Sequence, residues 1–314
     1  MPRTITVGID GSPESRAAAE WAAREAKLRG LPVKLIHVWE PIPEHLADAT
    51  HSGAETLQHW TGRSEMGVPP AEGWGRIPRE AAESLRLRHP GVEVTTEQLT
   101  GLPAEAVARA AQDAELLVLG SRGLGGIGGF LVGSVGLAVV AHSERPVVLV
   151  RADEQATDEQ AMDAVGIPST AAPFRPVVLG LDVSRPDEAL IGFAFDAATR
   201  RKVPLRVVHG WNLPPYYAYG MALEPAVERE MAKGDAVIVT EVLRPWRQKF
   251  PDVEVVEQSH YGSPSTLLID ASQEASLVVV GRRIRRSSVG AHIGPVTHAV
   301  LHHATAPVAV VAHD

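Results

Sequence analysis

Residues 6–15 read TVGIDGSPES and residues 178–187 read VLGLDVSRPD, which sets Asp10 against Asp182 at an offset of 172. The same offset aligns KLIHVWE (34–40) with RVVHGWN (206–212), pairing His37 with His209 and Trp39 with Trp211. Farther along, HPGVEVTTEQLTGLPAEA (89–106) returns as FPDVEVVEQSHYGSPSTL (250–267), AELLVLG (114–120) as ASLVVVG (275–281), and RPVVLV (145–150) as APVAVV (306–311), all at an offset of 161. Recurrence of this extent marks a duplicated structural unit. The fall in offset gives the first copy 11 additional residues between Glu40 and Gly91. The polar, glycine-rich run HSGAETLQHWTGRSEMGVPPAEGWG (51–75) in that interval reads as a surface insertion or lid. Ala152 to Pro173 has linker composition. The expected organisation is therefore a first domain over 1–151, a linker over 152–173 and a second domain over 174–314.

Each copy alternates strand and helix. In the first, a strand at Ile5–Ile9 precedes a helix with Ser12 as N-cap, Pro13 in its first position and Gly30 as its stop. Strands follow at Val33–Val38, Val92–Leu99, Leu116–Leu119 and Val147–Val150, with helices near Arg79–Arg88, after Pro103 and from Ser134. Short apolar runs such as LLVLG and PVVLV are the pattern of strands buried on both faces. Their alternation with helices calls for right-handed crossovers and a parallel sheet. The fold class is α/β: two tandem Rossmann-like, doubly wound domains, each with a five-stranded parallel sheet. Strands 147–150 and 308–311 would each leave an apolar edge bare, which invites aggregation. They are expected to pair antiparallel within the chain.

In doubly wound sheets ligands sit beyond the carboxyl ends of the strands, where the strand order reverses. The loops to inspect follow Ile9, Val38 and Leu119. After Leu119 the chain reads GSRGLGGIGGFLVGSVG (120–136), with Gly120, Gly123 and Gly133 in the pattern G-x2-G-x9-G-S. Glycines let backbone N–H groups approach phosphate oxygens with no Cβ between. A helix opening at Ser134 and Val135 adds unpaired N–H donors and the positive end of its dipole. The Ser134 hydroxyl suits a terminal phosphate, and Arg122 can neutralise charge. Asp10, followed by Gly11 and Ser12, is placed to accept from the exocyclic amine of adenine. Alone it reads as an Asp turn before a helix cap; its recurrence as Asp182 favours a ligand role.

These residues together, Asp10 after the first strand, GSRG at 120–123 and GS at 133–134, resemble the universal stress protein family, over nearly the whole chain as a tandem pair. The G-x2-G-x9-G-S spacing is similar to that of the family's ATP-binding branch. The resemblance implies a strand order 3-2-1-4-5 and adenine contacts at Asp10 and Val38. It puts Gly120 and Gly123 near ribose and phosphates, and Gly133, Ser134 and Val135 on the phosphates. It further implies ATP with Mg2+ bound through the phosphates, a homodimer, an unknown regulatory protein partner, a stress-response role in the cytoplasm, and nucleotide held rather than turned over. Slow hydrolysis or autophosphorylation is the most enzymatic activity expected.

The second copy departs from the pattern in GRRIRRSSVGAHIGPV (281–296). Ile284 stands where the second glycine was, and Pro295, with neither hydroxyl nor N–H, where the serine was. Arg282, Arg283, Arg285 and Arg286 read as a solvated charged loop. His298 and His302 lie at i, i+4, but no glutamate completes an HExxH and the chain has no cysteine, so a polar helix face is the expectation and a metal is not. His37 and His209 are read as satisfied histidines rather than bases. Tyr216, Tyr217 and Tyr219 mark the second copy's connector as a packed loop.

Composition narrows the field. The formal net charge of −8 lacks the basic footprint of a nucleic-acid binder. The absence of cysteine excludes disulfide and thiolate chemistry and suits a reducing compartment. Leu124–Ala141 is uncharged over 18 residues, but six of them are glycine, which suits a loop rather than a membrane helix. No GxxxxGK[ST] is present. Two other functions remain open: an ATP-pyrophosphatase-type adenylating enzyme, whose usual SGGxDS-like loop GIDGSP matches poorly, and a structural tandem merely stabilised by nucleotide.

Overall fold

The computed structural model describes residues 3–39, 75–121, 132–152, 158–161, 172–211, 225–284 and 293–314. The first half runs β1 (Thr4–Gly8), α1 (Pro13–Arg29), β2 (Val33–Trp39), α2 (Arg76–Arg88), β3 (Val94–Thr100), α3 (Pro103–Ala111), β4 (Ala114–Ser121), α4 (Ser134–His142) and β5 (Val147–Arg151). The second runs β6 (Val177–Gly180), α5 (Glu188–Arg201), β7 (Leu205–Trp211), α6 (Pro225–Lys249), β8 (Val255–Tyr261), α7 (Pro264–Ser272), β9 (Leu277–Arg283), α8 (Pro295–His303) and β10 (Val308–His313).

All ten strands form one sheet in the order β3-β2-β1-β4-β5-β10-β9-β6-β7-β8. Each half carries the order 3-2-1-4-5, and every pairing within a half is parallel. At the centre β5 and β10 pair antiparallel, Val308 with Leu149 and Val310 with Val147, as the bare apolar edges required. Reversal at that seam turns the two carboxyl edges to opposite sides of the sheet. Helices α1, α2, α5 and α6 bury their apolar faces on one side, against Leu35, Val118, Val148 and Leu179. Helices α3, α4, α7 and α8 cover the other side, over Ile36, Leu117, Leu149 and Val278.

Helix α1 begins and ends where its cap residues dictate. The Ser12 side chain accepts from the Ser15 N–H, and Gly30 takes the left-handed conformation at φ 64° while its N–H donates to Ala26. Ala18, Ala22 and Ala23 bring its axis close to the sheet, and Trp21 fills the remaining space. In the second copy the helix starts a turn later. Asp187, not Ser184, is the N-cap of α5, its carboxylate accepting from Ala189 and Leu190.

Between α1 and α5 lies a buried ion cluster. Glu25 accepts from Arg29 Nε (2.6 Å) and Arg201 Nη2 (2.6 Å). Arg29 also reaches Asp196 (3.1 Å), and Arg24 grips Glu159 from the segment between the halves. Gln160 forms a β-bridge with Phe174, and Arg175 N–H donates to the Glu159 carbonyl. Burial pushes the Glu25 carboxyl up, but Arg201 and Arg29 outweigh it and hold it below the usual carboxylate range. For Glu159 burial prevails over Arg24 and Arg201, and the carboxyl sits above that range.

Candidate functional site

The order reverses between β1 and β4, so the crevice beyond their carboxyl ends is the place for a ligand. β1 brings Asp10, Gly11 and Ser12 to it, β2 brings Val38, and β4 brings Gly120. Ile9 N–H bonds the Ile36 carbonyl (2.9 Å), which carries the β1–β2 register up to the Asp10 turn. Asp10 Oδ1 accepts from the Ser12 N–H (3.0 Å) and hydroxyl (2.5 Å). The Asp turn is thus real, and it is built of the residues that also cap α1. Gly11 has φ +82°, a conformation that favours glycine, and it lies beneath Ile77 of α2. Asp10 remains exposed to solvent.

Gly120 has a structural duty of its own. A Cβ there would stand 2.5 Å from the Glu14 backbone carbonyl carbon, so its glycine lets α1 pack against the end of β4. Beyond Ser121, whose hydroxyl donates to the Val150 carbonyl, the loop carrying Arg122 and Gly123 lies outside the described residues, as do Arg285, Arg286, Tyr216, Tyr217, Tyr219 and residues 51–74 of the insertion. The chain returns at Val132. Gly133 is the N-cap of α4 in an extended conformation, and no side chain caps the turn. The first intrahelical bond is Leu137 N–H to the Gly133 carbonyl. The N–H groups of Ser134, Val135 and Gly136 therefore precede the helix's own bonding, at the positive end of its dipole. No acidic residue occupies that first turn, and Ser134 is exposed.

The second half repeats the frame with different contents. Asp182 Oδ1 accepts from Ser184 N–H (3.0 Å) and its hydroxyl (2.6 Å), the same turn as at Asp10. A Cβ on Gly281 would meet the His313 ring at 2.7 Å and Leu190 at 3.1 Å, since the late start of α5 removes the backbone that Glu14 supplies in the first half. Helix α8 also opens uncapped after Gly294, with Pro295 in its first turn. Arg282 corrects the solvated-loop expectation. It is the sixth residue of β9, 3% exposed, and donates to the Ser143 carbonyl of the first half (2.5 Å). The antiparallel seam brings that carbonyl within reach. Burial lowers its pKa, with Glu144 opposing the shift.

Both histidines read as satisfied are held through Nδ1. His37 Nδ1 lies 2.8 Å from the Ile9 carbonyl and His209 Nδ1 3.0 Å from the Leu181 carbonyl. His298 and His302 have ring centroids 4.4 Å apart on α8. Among the described residues no three His, Cys, Asp or Glu side chains gather as a metal site. No helix among them is long and apolar enough to cross a membrane.

The family model described as the universal stress protein family matches residues 1–151 and again 173–312. A universal stress protein of Mycolicibacterium smegmatis is 32% identical over 317 residues, which cover 98% of this chain and 96% of that protein. Universal stress protein Rv2005c of Mycobacterium tuberculosis is 31% identical over 314 residues, again 98% of this chain and 96% of its own. Among solved structures, a universal stress protein from Archaeoglobus fulgidus shares the fold with a TM-score of 0.67 at 16% identity, over 99% of this chain and 98% of that one.

Proposed function

Since the chain belongs to the universal stress protein family, we propose that its first half is an ATP-binding regulatory module and that its second half holds nucleotide weakly or not at all. The observation that carries this reading is the uncapped, acid-free N-terminus of α4, the helix that follows β4 at the point where the strand order reverses. Unpaired first-turn N–H groups and the helix dipole favour a polyphosphate there. Asp10 and Val38 take the adenine, with Gly11 and Ser12 completing the turn. Gly120 and Gly123 line the ribose and phosphates, Arg122 offsets charge, and Gly133, Ser134 and Val135 bind the phosphates, with Mg2+ carried by the phosphates themselves. In this reading 1–151 and 174–314 are the domains, and the protein works in the cytoplasm as a homodimer that signals through a protein partner. Among the described residues no carboxylate or histidine of these loops is held by a partner as a base toward water, so we expect turnover far below the usual enzyme range of roughly 1–1000 per second. Calorimetry with ATP on the full chain tests binding, and labelled ATP tests turnover. Failure to bind, or steady hydrolysis within that range abolished by Asp10→Ala, refutes the proposal.

A further inference from the structure

His37 and His209 make the same contact in the two copies, and their second nitrogens meet different surroundings. A carbonyl only accepts, so in each neutral ring Nδ1 carries the proton and donates, to Ile9 in the first copy and to Leu181 in the second. That fixes Nε2 as an acceptor in both. In the second copy His209 is buried, and its Nε2 stands 3.9 Å from Asp235 Oδ1 on α6. In sequence, the offset of 161 that aligns Pro78, Ala82 and Leu85 of α2 with Val239, Leu243 and Trp246 of α6 aligns Asp235 with a tryptophan, Trp74, which lies outside the described residues. The aspartate is thus not repeated in the first copy's sequence, and no described carboxylate is paired with His37. His37 is half-buried, and no described residue bonds its Nε2. Its ring is tied to the residue before Asp10, and Val38 follows it in the chain. His37 thus lies between the two residues assigned to the base.

We propose that His37 reads the base: its Nε2 accepts from the exocyclic amine of adenine, so that the first half selects 6-amino over 6-oxo purines. The inference rests on the nucleotide reading above. An exocyclic amine carries two N–H donors, and a buried donor left unpaired is costly. Asp10 Oδ1 already serves the Ser12 N–H and hydroxyl, so a second acceptor near Asp10 completes the amine's partners. A 6-oxo purine would set its carbonyl oxygen against a carboxylate and a bare ring nitrogen, three acceptors with no proton among them. In the second copy Asp235 lies against the equivalent nitrogen, so the same base reading is not offered there.

The test is calorimetry of ATP against inosine triphosphate on the full chain. The wild type should prefer ATP, and His37→Leu should shrink that preference by about tenfold, the worth of one net hydrogen bond. His209→Leu breaks the same strand contact in the other copy and should leave the preference unchanged. Nitrogen-15 NMR of the histidine-labelled wild type gives a readout that needs no variant: the His37 Nε2 resonance should shift on saturation with ATP. An unchanged preference in His37→Leu, an equal loss in His209→Leu, or a silent Nε2 resonance overturns the inference while the nucleotide reading stands. Absence of ATP binding by the wild type removes both.

Discussion

Glu25→Ala should be among the most destabilising single substitutions in the chain, although Glu25 lies far from the candidate site. Its carboxylate is 1% exposed and is held by Arg29 and by Arg201, whose side chain is fully buried. Removing it leaves Arg201 buried with no hydrogen-bonded carboxylate, only Glu159, itself gripped by Arg24, remaining within electrostatic reach, while Arg29 keeps Asp196. Breaking a buried pair from one side costs about 3–5 kcal/mol, most of it the penalty of the orphaned charge. For a chain longer than 250 residues that corresponds to a fall in Tm of roughly 6–10 °C, taking about 2 °C per kcal/mol. Replacing both partners by apolar residues, Glu25→Leu with Arg201→Met, should recover most of the loss, because neither member of that pair is then left buried with its charge unpaired, while Arg29 keeps Asp196 and Glu159 keeps Arg24. Urea denaturation of both single variants and the double variant, run as a cycle, measures each quantity. A loss below about 1 kcal/mol for Glu25→Ala, or a double variant as unstable as the sum of the singles, would show that the cluster is not held by charge compensation.

The pH profile follows from the same groups. Glu25 and Glu20, the latter drawn down by Arg88 and His89 despite burial, have folded pKa values below their unfolded ones, so their stabilisation is present above about pH 4.5 and is lost as the pH falls below it. Glu159, held above its unfolded value, gives the opposite slope, and Glu159→Gln should therefore cost less at pH 7 than Glu25→Gln in thermal melts. Gly120→Ala should destabilise by about 1–3 kcal/mol, since its Cβ meets helix backbone, whereas Gly281→Ala meets a side-chain ring able to turn and should cost less; denaturant midpoints compare them. ATP should bind at about one per chain by calorimetry. Gly133→Ala with Ser134→Ala should abolish that binding, while Ile284→Gly with Pro295→Ser should strengthen a second site by roughly a hundredfold, since charge-assisted hydrogen bonds contribute about 1.5–3 kcal/mol each.

The alternation of strands and helices, the caps of α1 and the antiparallel seam were legible because each rests on local chemistry or on the repeat, whereas the strand order came only with the family resemblance. Ser12, Pro13 and Gly30 mark a helix whatever surrounds it, and two apolar edge strands of one chain have an obvious partner in each other. The late start of α5 was not legible, since Ser184 and Asp187 are both good caps and only packing chooses between them. Nor was the ion cluster: Glu25 and Arg201 are 176 residues apart, and nothing in either helix alone announces that they meet. Arg282 misled for the same reason, its run of arginines being a loop signature until the seam supplies a carbonyl for one of them. Gly120 shows a subtler limit. A glycine required by helix packing and one required by a phosphate are the same letter, and only the Glu14 contact separates the two demands.

That separation bears on how the two halves differ. Replacing a first-turn residue of a helix by proline costs the fold little, because the N–H it removes has no intrahelical partner. Pro295 in α8 is therefore invisible to the scaffold and visible only to a ligand that would have used that donor. The scaffold in turn cannot do without the second half. β10 covers the edge of β5, pairing along Val147–Leu149, and the ion cluster draws on both α1 and α5. A severed first half would expose an apolar strand edge and the charges of Arg24, Glu25 and Arg29 together. Loss of binding by such a fragment would then report on folding rather than on the phosphate loop. The discriminating comparison is within the intact chain, where Ser134→Pro copies the second half's residue into the first. It should remove phosphate affinity while leaving Tm nearly unchanged, and a large fall in Tm would mean that α4 depends on the N–H at Ser134 for its own stability.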